Sequence, residues 1–170
     1  ITPKDADIAL LQAIRIGDES ANTTILRKAG FMAYYTEHNL QNKLIRINYS
    51  AQDNDLNEKL LEDFFITNHN IKGAVIFNSR GHVITNYFKK HKIHNIKFVG
   101  IDLTEKNAKA LNEGYIDFLV GQRPDQQAYM AIKTLIQYLV FGKKITSQSN
   151  YMPLDIFVKE NATLYKKFNI

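Results

Sequence analysis

Apolar positions along this chain fall into two alternating rhythms. Short runs of consecutive or every-other apolar residues are separated by longer stretches with three-to-four spacing. Asp7 to Ile14 (DIALLQAI) and Lys72 to Phe77 (KGAVIF) are compact runs that predict buried strands. Lys43 to Tyr49 (KLIRINY) alternates and ends in Ser50, and Lys97–Ile101 and Tyr115–Val120 complete five strand candidates. Helical spacing fills the gaps. Thr24–His38 sets Ile25, Ala29, Met32 and Ala33 on one face, with Phe31 and Tyr35 alongside. Asn54–Thr67 gathers Leu56, Leu60, Leu61, Phe64 and Phe65 on one side, opposite most of its charges. Gly81–His91, Thr104–Asn112 and Pro124–Phe141 are the remaining helices.

The ends of these segments carry matching punctuation. Ser20-Ala21-Asn22-Thr23 and Thr104 are cap-type residues. Pro124 stands in a first turn, where its missing N–H costs nothing, and Gly142 stops the last long helix. Lys143–Asn150 reads as a loop or linker. Tyr151–Val158 contains a sixth extended segment, and its Pro153 predicts a sheet edge or crossing. The tail after Asn161 reads as irregular. Strict alternation of strand and helix predicts an α/β fold: a parallel, doubly wound, Rossmann-like sheet with helices on both faces.

Composition narrows the class without choosing a chemistry. The chain has 170 residues, 45% hydrophobic and 11% aromatic, enough for one domain with a real core. It has no cysteine, which excludes disulfides, thiolate metal sites and cysteine nucleophiles. No apolar run approaches the ~18–20 residues of a membrane helix. The chain opens Ile1-Thr2-Pro3, with neither an initiator Met nor a signal-peptide pattern, so it reads as a piece of a longer protein. The net charge is +5, and residues 80–101 hold no acidic residue but five Lys or Arg and three His. Lysines at a helix end complement its dipole, and no aromatic residues interleave as stacking platforms for nucleic acid would.

Motifs for catalysis are missing. There is no Gly-x-Gly-x-x-Gly, Walker A loop, Gly-x-Ser-x-Gly or His-Glu-x-x-His. His91 and His94 make half a metal site at most. The carboxylates are scattered, with no spacing suited to acid–base work. The expectation is a protein that is not an enzyme and uses no metal or cofactor. What remains is a set of polar groups at strand ends: the Arg15–Asn22 loop, Asn78, Asp102 and Gln122, with Arg27 one turn into the first helix. In an open parallel sheet, ligands sit outside the carboxyl ends of the strands. Asp, Asn, Gln and Arg suit a polyhydroxylated ligand, because together they donate and accept. Asn78 and Asp102 also stand where helices start and select such residues as caps. Four groups converging on one edge favour the ligand reading.

Five segments in order carry a resemblance: Ile8-Ala-Leu-Leu-Gln12, Arg27-Lys-Ala-Gly-Phe31, Val75-Ile-Phe-Asn78, Val99-Gly-Ile-Asp102 and Leu119-Val-Gly-Gln122. Together they resemble the C-terminal half of the effector-binding region of lactose-repressor-type (LacI/GalR) transcription regulators. Sugar-binding periplasmic proteins of the same type I fold share the pattern. The ending Met152–Asn161 resembles the close of such regulators in gut anaerobes related to Bacteroides.

The resemblance implies one lobe of a type I periplasmic-binding-protein-like fold over residues 1–122. It implies a helix at 123–142 that in the family packs on an N-terminal lobe, and a linker, last strand and tail over 143–170. It assigns effector contacts to Arg27, Asn78, Asp102 and Gln122, with Arg15 opening a loop that is longer here. The implied ligand is a sugar or derivative. Operator DNA would be bound only through a headpiece absent from this sequence. A homodimer through about His82–Lys90 and Thr104–Asn112 is implied, in the cytoplasm for a regulator and the periplasm for a solute-binding protein or receptor sensor. The helix at Pro124–Phe141 is left without its usual cover, so it is expected either to dock on this lobe or to meet a neighbouring chain.

Overall fold

Consecutive apolar residues at Asp7–Ile14 form β1, and the alternating Leu44–Ser50 forms β2 beside it. The computed structural model describes residues 2–14, 22–50, 52–147 and 149–168. Strands β3 (Ile71–Ile76), β4 (Lys97–Ile101), β5 (Phe118–Gly121) and β6 (Asp155–Phe157) complete one sheet in the order β2-β1-β3-β4-β5-β6. The first five strands run parallel. The helices between them are α1 (Asn22–Glu37), α2 (Asn54–Thr67), α3 (Gly81–Lys90), α4 (Glu105–Asn112), α5 (Pro124–Leu139) and α6 (Lys159–Phe168). The α/β expectation holds, and the chain reverses its direction of growth between β1 and β3. Ligand crevices form at that kind of switch point.

Each sheet face has its own apolar cluster. One face packs Leu61 of α2, Ile84 and Phe88 of α3, Leu111 of α4 and Ala162 of α6 onto Leu11, Tyr49, Ile76, Phe98 and Leu119. Phe65, Tyr87, Phe88 and Phe98 continue as a chain of ring contacts with centroids 5.6–6.4 Å apart, the separations that aromatic pairs favour. The other face is thinner. Phe31 of α1 covers Leu10, Val75 and Phe77, with Phe31 and Phe77 edge to face.

The expected apolar face of α1 is turned outward: Ile25 is 50% exposed and Met32 38%. The row Arg27, Phe31, Tyr35 faces the sheet instead. These residues sit one turn apart on one stripe. Phe31 against Phe77, and the Tyr35 hydroxyl on the Asn42 carbonyl at 2.9 Å, hold that stripe inward.

Two further features depart from expectation, and a third bears on an alternative the sequence left open. Strand β6 is antiparallel to β5, pairing Gly121 with Asp155 and Leu119 with Phe157. Helix α5 carries the chain away from the carboxyl edge of β5, and the loop over 140–154 returns it to that same edge, so β6 enters running backwards. Pro153 precedes the edge strand, where its lost donor is harmless.

The tail expected to be irregular forms α6. Its start is specified by Asn161, whose Oδ1 accepts from the Val158 N–H at 2.8 Å, half of a capping box. The buried Ala162 seats it on the core.

Finally, α5 does not dock on this lobe. None of its residues is buried, and Ile132 and Leu139 are 60% and 67% exposed. Its apolar side continues into Val140, Phe141, Ile145 and Tyr151, a patch of the kind that marks an interaction surface. No helix among the described residues is long and apolar enough to cross a membrane.

Candidate functional site

Because β1 to β5 run parallel, residues just past their ends collect on one edge. Asn78 follows β3, Asp102 follows β4 and Gln122 follows β5. Arg27 joins them from α1, donating from Nη1 to the Phe77 carbonyl at 2.8 Å. Four of the five residues expected at the site therefore share one sheet edge. Arg15 lies outside the described residues.

Each contact has a defined partner. The Asn78 Oδ1 accepts from the Arg80 N–H at 3.0 Å and from the Tyr49 hydroxyl at 3.1 Å. Asn78 therefore builds an Asx-type turn ahead of α3 and is not its N-cap, a position held by Arg80. Asp102 is not a cap either, since Thr104 caps α4. Its backbone is left-handed, φ 65°, a conformation that costs a non-glycine residue. It is held there by its own N–H on the Val120 carbonyl (2.8 Å) and by Asn107 Nδ2 on its carbonyl (3.0 Å). The Asp102 Oδ1 accepts from Gln122 Nε2 at 2.8 Å.

Asn107 ties the two halves of the site together. Its Nδ2 also lies 3.0 Å from the Ser79 and Ile101 carbonyls, and its Oδ1 accepts from the His82 N–H at 2.9 Å. One buried amide thus fixes the loop after β3 against the loop after β4. Burial pushes the His82 imidazole pKa down, opposed by its hydrogen bond to Asn107.

Four residues were missed from the sequence: Tyr49, Asn107, Arg123 and Asp155. Arg123 follows Gln122 with a left-handed φ of 49° and opens α5. It grips Asp155 with two parallel bonds, Nε to Oδ2 at 2.7 Å and Nη2 to Oδ1 at 2.6 Å. This fork joins the segment that leaves the sheet to the one that returns. It holds the Asp155 carboxyl below the usual carboxylate range, with the Arg123 hydrogen bonds as the leading cause. A carboxylate with a lowered folded pKa stabilises above its unfolded pKa, and that stability is lost as pH falls through the folded value. Asp155→Asn is therefore expected to cost about 1 kcal/mol at pH 7 and less at pH 2, well below the unfolded carboxylate value. Thermal melts at the two pH values measure the difference; an equal cost at both would exclude the ion pair as its source.

The histidine pair does not converge on a metal. His91 Nε2 meets Glu58 at 2.5 Å, whereas His94 Nε2 meets the Tyr115 hydroxyl at 3.2 Å. Among the described residues, no group of three or more His, Cys, Asp or Glu side chains is placed to hold a metal ion. The basic run is largely neutralised by acids from other elements: Lys89 pairs with Glu113, Lys90 with Glu58 and Lys97 with Asp117.

Comparison with known proteins bears on the family and the fold. Residues 2–144 match the family model described as periplasmic binding protein domain. A structure assigned as a LacI transcriptional regulator from Bacteroides fragilis is 33% identical, with a TM-score of 0.87 over 95% of this chain and 55% of that one. A periplasmic ribose ABC transporter protein from Conexibacter woesei is 16% identical, with a TM-score of 0.75 over 98% and 55% of the two chains. A carbohydrate transporter solute binding protein from Agrobacterium radiobacter, in complex with D-arabinose, is 19% identical, with a TM-score of 0.76 over 95% and 54%. The last two share the fold. No curated protein matches the chain. The chain spans about half the length of the solved structures it matches.

Proposed function

The chain belongs to the periplasmic binding protein domain family, and from that premise we propose that it is the sugar-sensing lobe of a lactose-repressor-type transcription regulator. The observation that carries this reading is the single sheet edge holding Arg27, Asn78, Asp102 and Gln122, in a chain 33% identical to a protein assigned as a LacI regulator. The site works by binding, with no catalytic step, no metal and no cofactor. Residues 1–122 form the lobe, 123–142 the helix that meets a second lobe, and 143–170 the returning segment. The bare apolar face of α5 supports that division, because a second lobe would cover it. Sugar closes the cleft between lobes, and a homodimer through His82–Lys90 and Thr104–Asn112 passes the change to operator-binding headpieces in the cytoplasm.

A second reading is favoured by the transport proteins among the structural neighbours. In it the same cleft serves a periplasmic solute-binding protein or receptor sensor. The two separate on DNA: a regulator binds a duplex from its own promoter, and the bound sugar alters that affinity.

Calorimetric titration of the full-length protein with D-ribose, D-arabinose and other neutral aldoses tests the shared part. At least one sugar is expected to bind. Arg27→Ala and Asp102→Ala are each expected to weaken it about tenfold or more, the scale of a lost charge-assisted hydrogen bond. Unchanged binding in both variants removes these residues from the site, and a protein that binds no sugar overturns the reading.

A further inference from the structure

The stretch between β5 and β6 stands apart from the core. No described residue from Pro124 to Leu154 is buried. This arm joins the sheet through two neighbouring crossings: Gln122-Arg123 leaving β5, and Leu154-Asp155 entering β6. Just inside those crossings the sheet is tightly packed. Gly121 pairs with Asp155, the last pair of that ladder, and Phe157 is only 4% exposed. A side chain on Gly121 would collide with the Phe157 ring, so the two strands approach as closely as a glycine permits. Firm packing therefore ends at Gly121, and a turn of the arm against the sheet has its pivot there.

The Arg123–Asp155 fork spans the two crossings at this point. Its two parallel bonds, 2.7 and 2.6 Å long, fix the orientation of the segments as well as their distance, which a single bond would not. Both side chains keep contact with water, at 31% and 19% exposure, so the fork can open without stranding a buried charge. Arg123 also stands in left-handed backbone, which persists where the surroundings over-determine it. Its neighbour Gln122 is bonded on both sides. The Gln122 Nε2 donates to the Asp102 carboxylate at 2.8 Å, and Gln127, in the first turn of α5, donates to the Gln122 carbonyl at 2.6 Å. The polar edge of the sheet and the base of α5 therefore meet at the residue next to the fork.

We propose that the Arg123–Asp155 fork is a clamp at this pivot: a pair of positioning residues that holds the arm at one angle to the sheet edge and thereby sets how tightly that edge holds its ligand. The first half follows from this chain's own contacts; the second rests on the sugar-binding reading above. Neither residue needs to touch ligand. With the fork open the arm samples several angles, and the apparent affinity falls with the fraction of molecules that stay at the binding angle.

The test uses the full-length protein with spin labels on Lys59→Cys in α2 and Lys133→Cys in α5, with no other cysteine and diluted in unlabelled protein. Arg123→Gln, Asp155→Asn and the double variant are compared with this parent. Each is expected to widen the distribution of distances between the labels. Each is also expected to weaken binding of the tightest-binding aldose about fivefold or more, while the melting temperature falls by only about 2–4 °C. The double variant is expected to match the more affected single one, because the two residues act as one contact. A merely structural pair would lower the melting temperature and leave the distances alone. Distances in both single variants as narrow as the parent's overturn the clamp. Widened distances with unchanged affinity overturn its effect on the ligand. A parent that binds no aldose overturns the sugar reading and the ligand half with it, and the distances then decide the clamp by themselves.

Discussion

Replacing Asn107 with Leu is expected to lower the melting temperature by roughly 10 °C, on the scaling of 2–4 °C per kcal/mol for a chain of this size. The two side chains are close in size, so the loss does not come from a cavity. Asn107 is fully buried, and its amide serves the His82 N–H and the carbonyls of Ser79, Ile101 and Asp102. A leucine there leaves those groups unpaired in a dry site, at about 1–3 kcal/mol each for the ones water cannot reach. Three carbonyls share two amide hydrogens, so the sum stays nearer 3–5 kcal/mol than the upper limit. Asn107→Asp is expected to be no better, since it keeps the acceptor but loses the donors and buries a charge. The loss also reaches the proposed site, because the freed loops carry Asn78 and Asp102. A thermal melt of Asn107→Leu within 2 °C of the wild type would falsify the claim that this amide is the junction between them.

Sequence pattern and structure part company where a polar residue faces inward. The strands were legible from apolar runs such as KGAVIF, and the carboxyl-edge residues followed from strand direction once the parallel sheet was inferred. Asn107 was not legible. It stands between Lys106 and Ala108 in a helix whose exposed face is polar, and only its i+3 and i+4 neighbours Ala110 and Leu111, both buried, reveal that it faces inward. Tyr49 was hidden in KLIRINY, because alternation shows which face a residue takes but not what a hydroxyl will reach across two strands. The Arg123–Asp155 fork spans 32 residues and depends on β6 running antiparallel, and no local pattern encodes a strand's direction of entry. On α1 the apolar count favoured Ile25 and Met32. The sheet takes the stripe of Arg27, Phe31 and Tyr35 instead, because that row pairs a ring contact with two hydrogen bonds to backbone carbonyls. The positions on the sheet edge were legible; the partners behind Asn78 and Gln122 were not, since they depend on contacts between elements.

Asp102→Gly is expected to separate stability from binding in the full-length protein. Asp102 holds φ 65°, a left-handed backbone that costs an L-residue roughly 1–2 kcal/mol and a glycine almost nothing. Removing the side chain also forfeits the bond from Gln122, a half-exposed contact of about 1 kcal/mol. These two terms nearly cancel, so Asp102→Gly is expected to melt close to the wild type. Asp102→Ala loses the same bond while retaining the strain, and is expected to be less stable than Asp102→Gly by about 1 kcal/mol. Both variants lose the same carboxylate, the strongest acceptor over β4. On the proposed sugar-binding reading both are therefore expected to bind sugar about tenfold or more weakly, a charge-assisted hydrogen bond being lost. The pair of variants thus reads two causes independently. Equal melting temperatures for Gly and Ala would show that the left-handed backbone stores no strain. Unchanged affinity in both would show that strain at this position serves the turn into α4 and not the ligand. On the proposed reading, a strained aspartate where glycine is conformationally cheaper has its physical reason in the ligand its carboxylate meets.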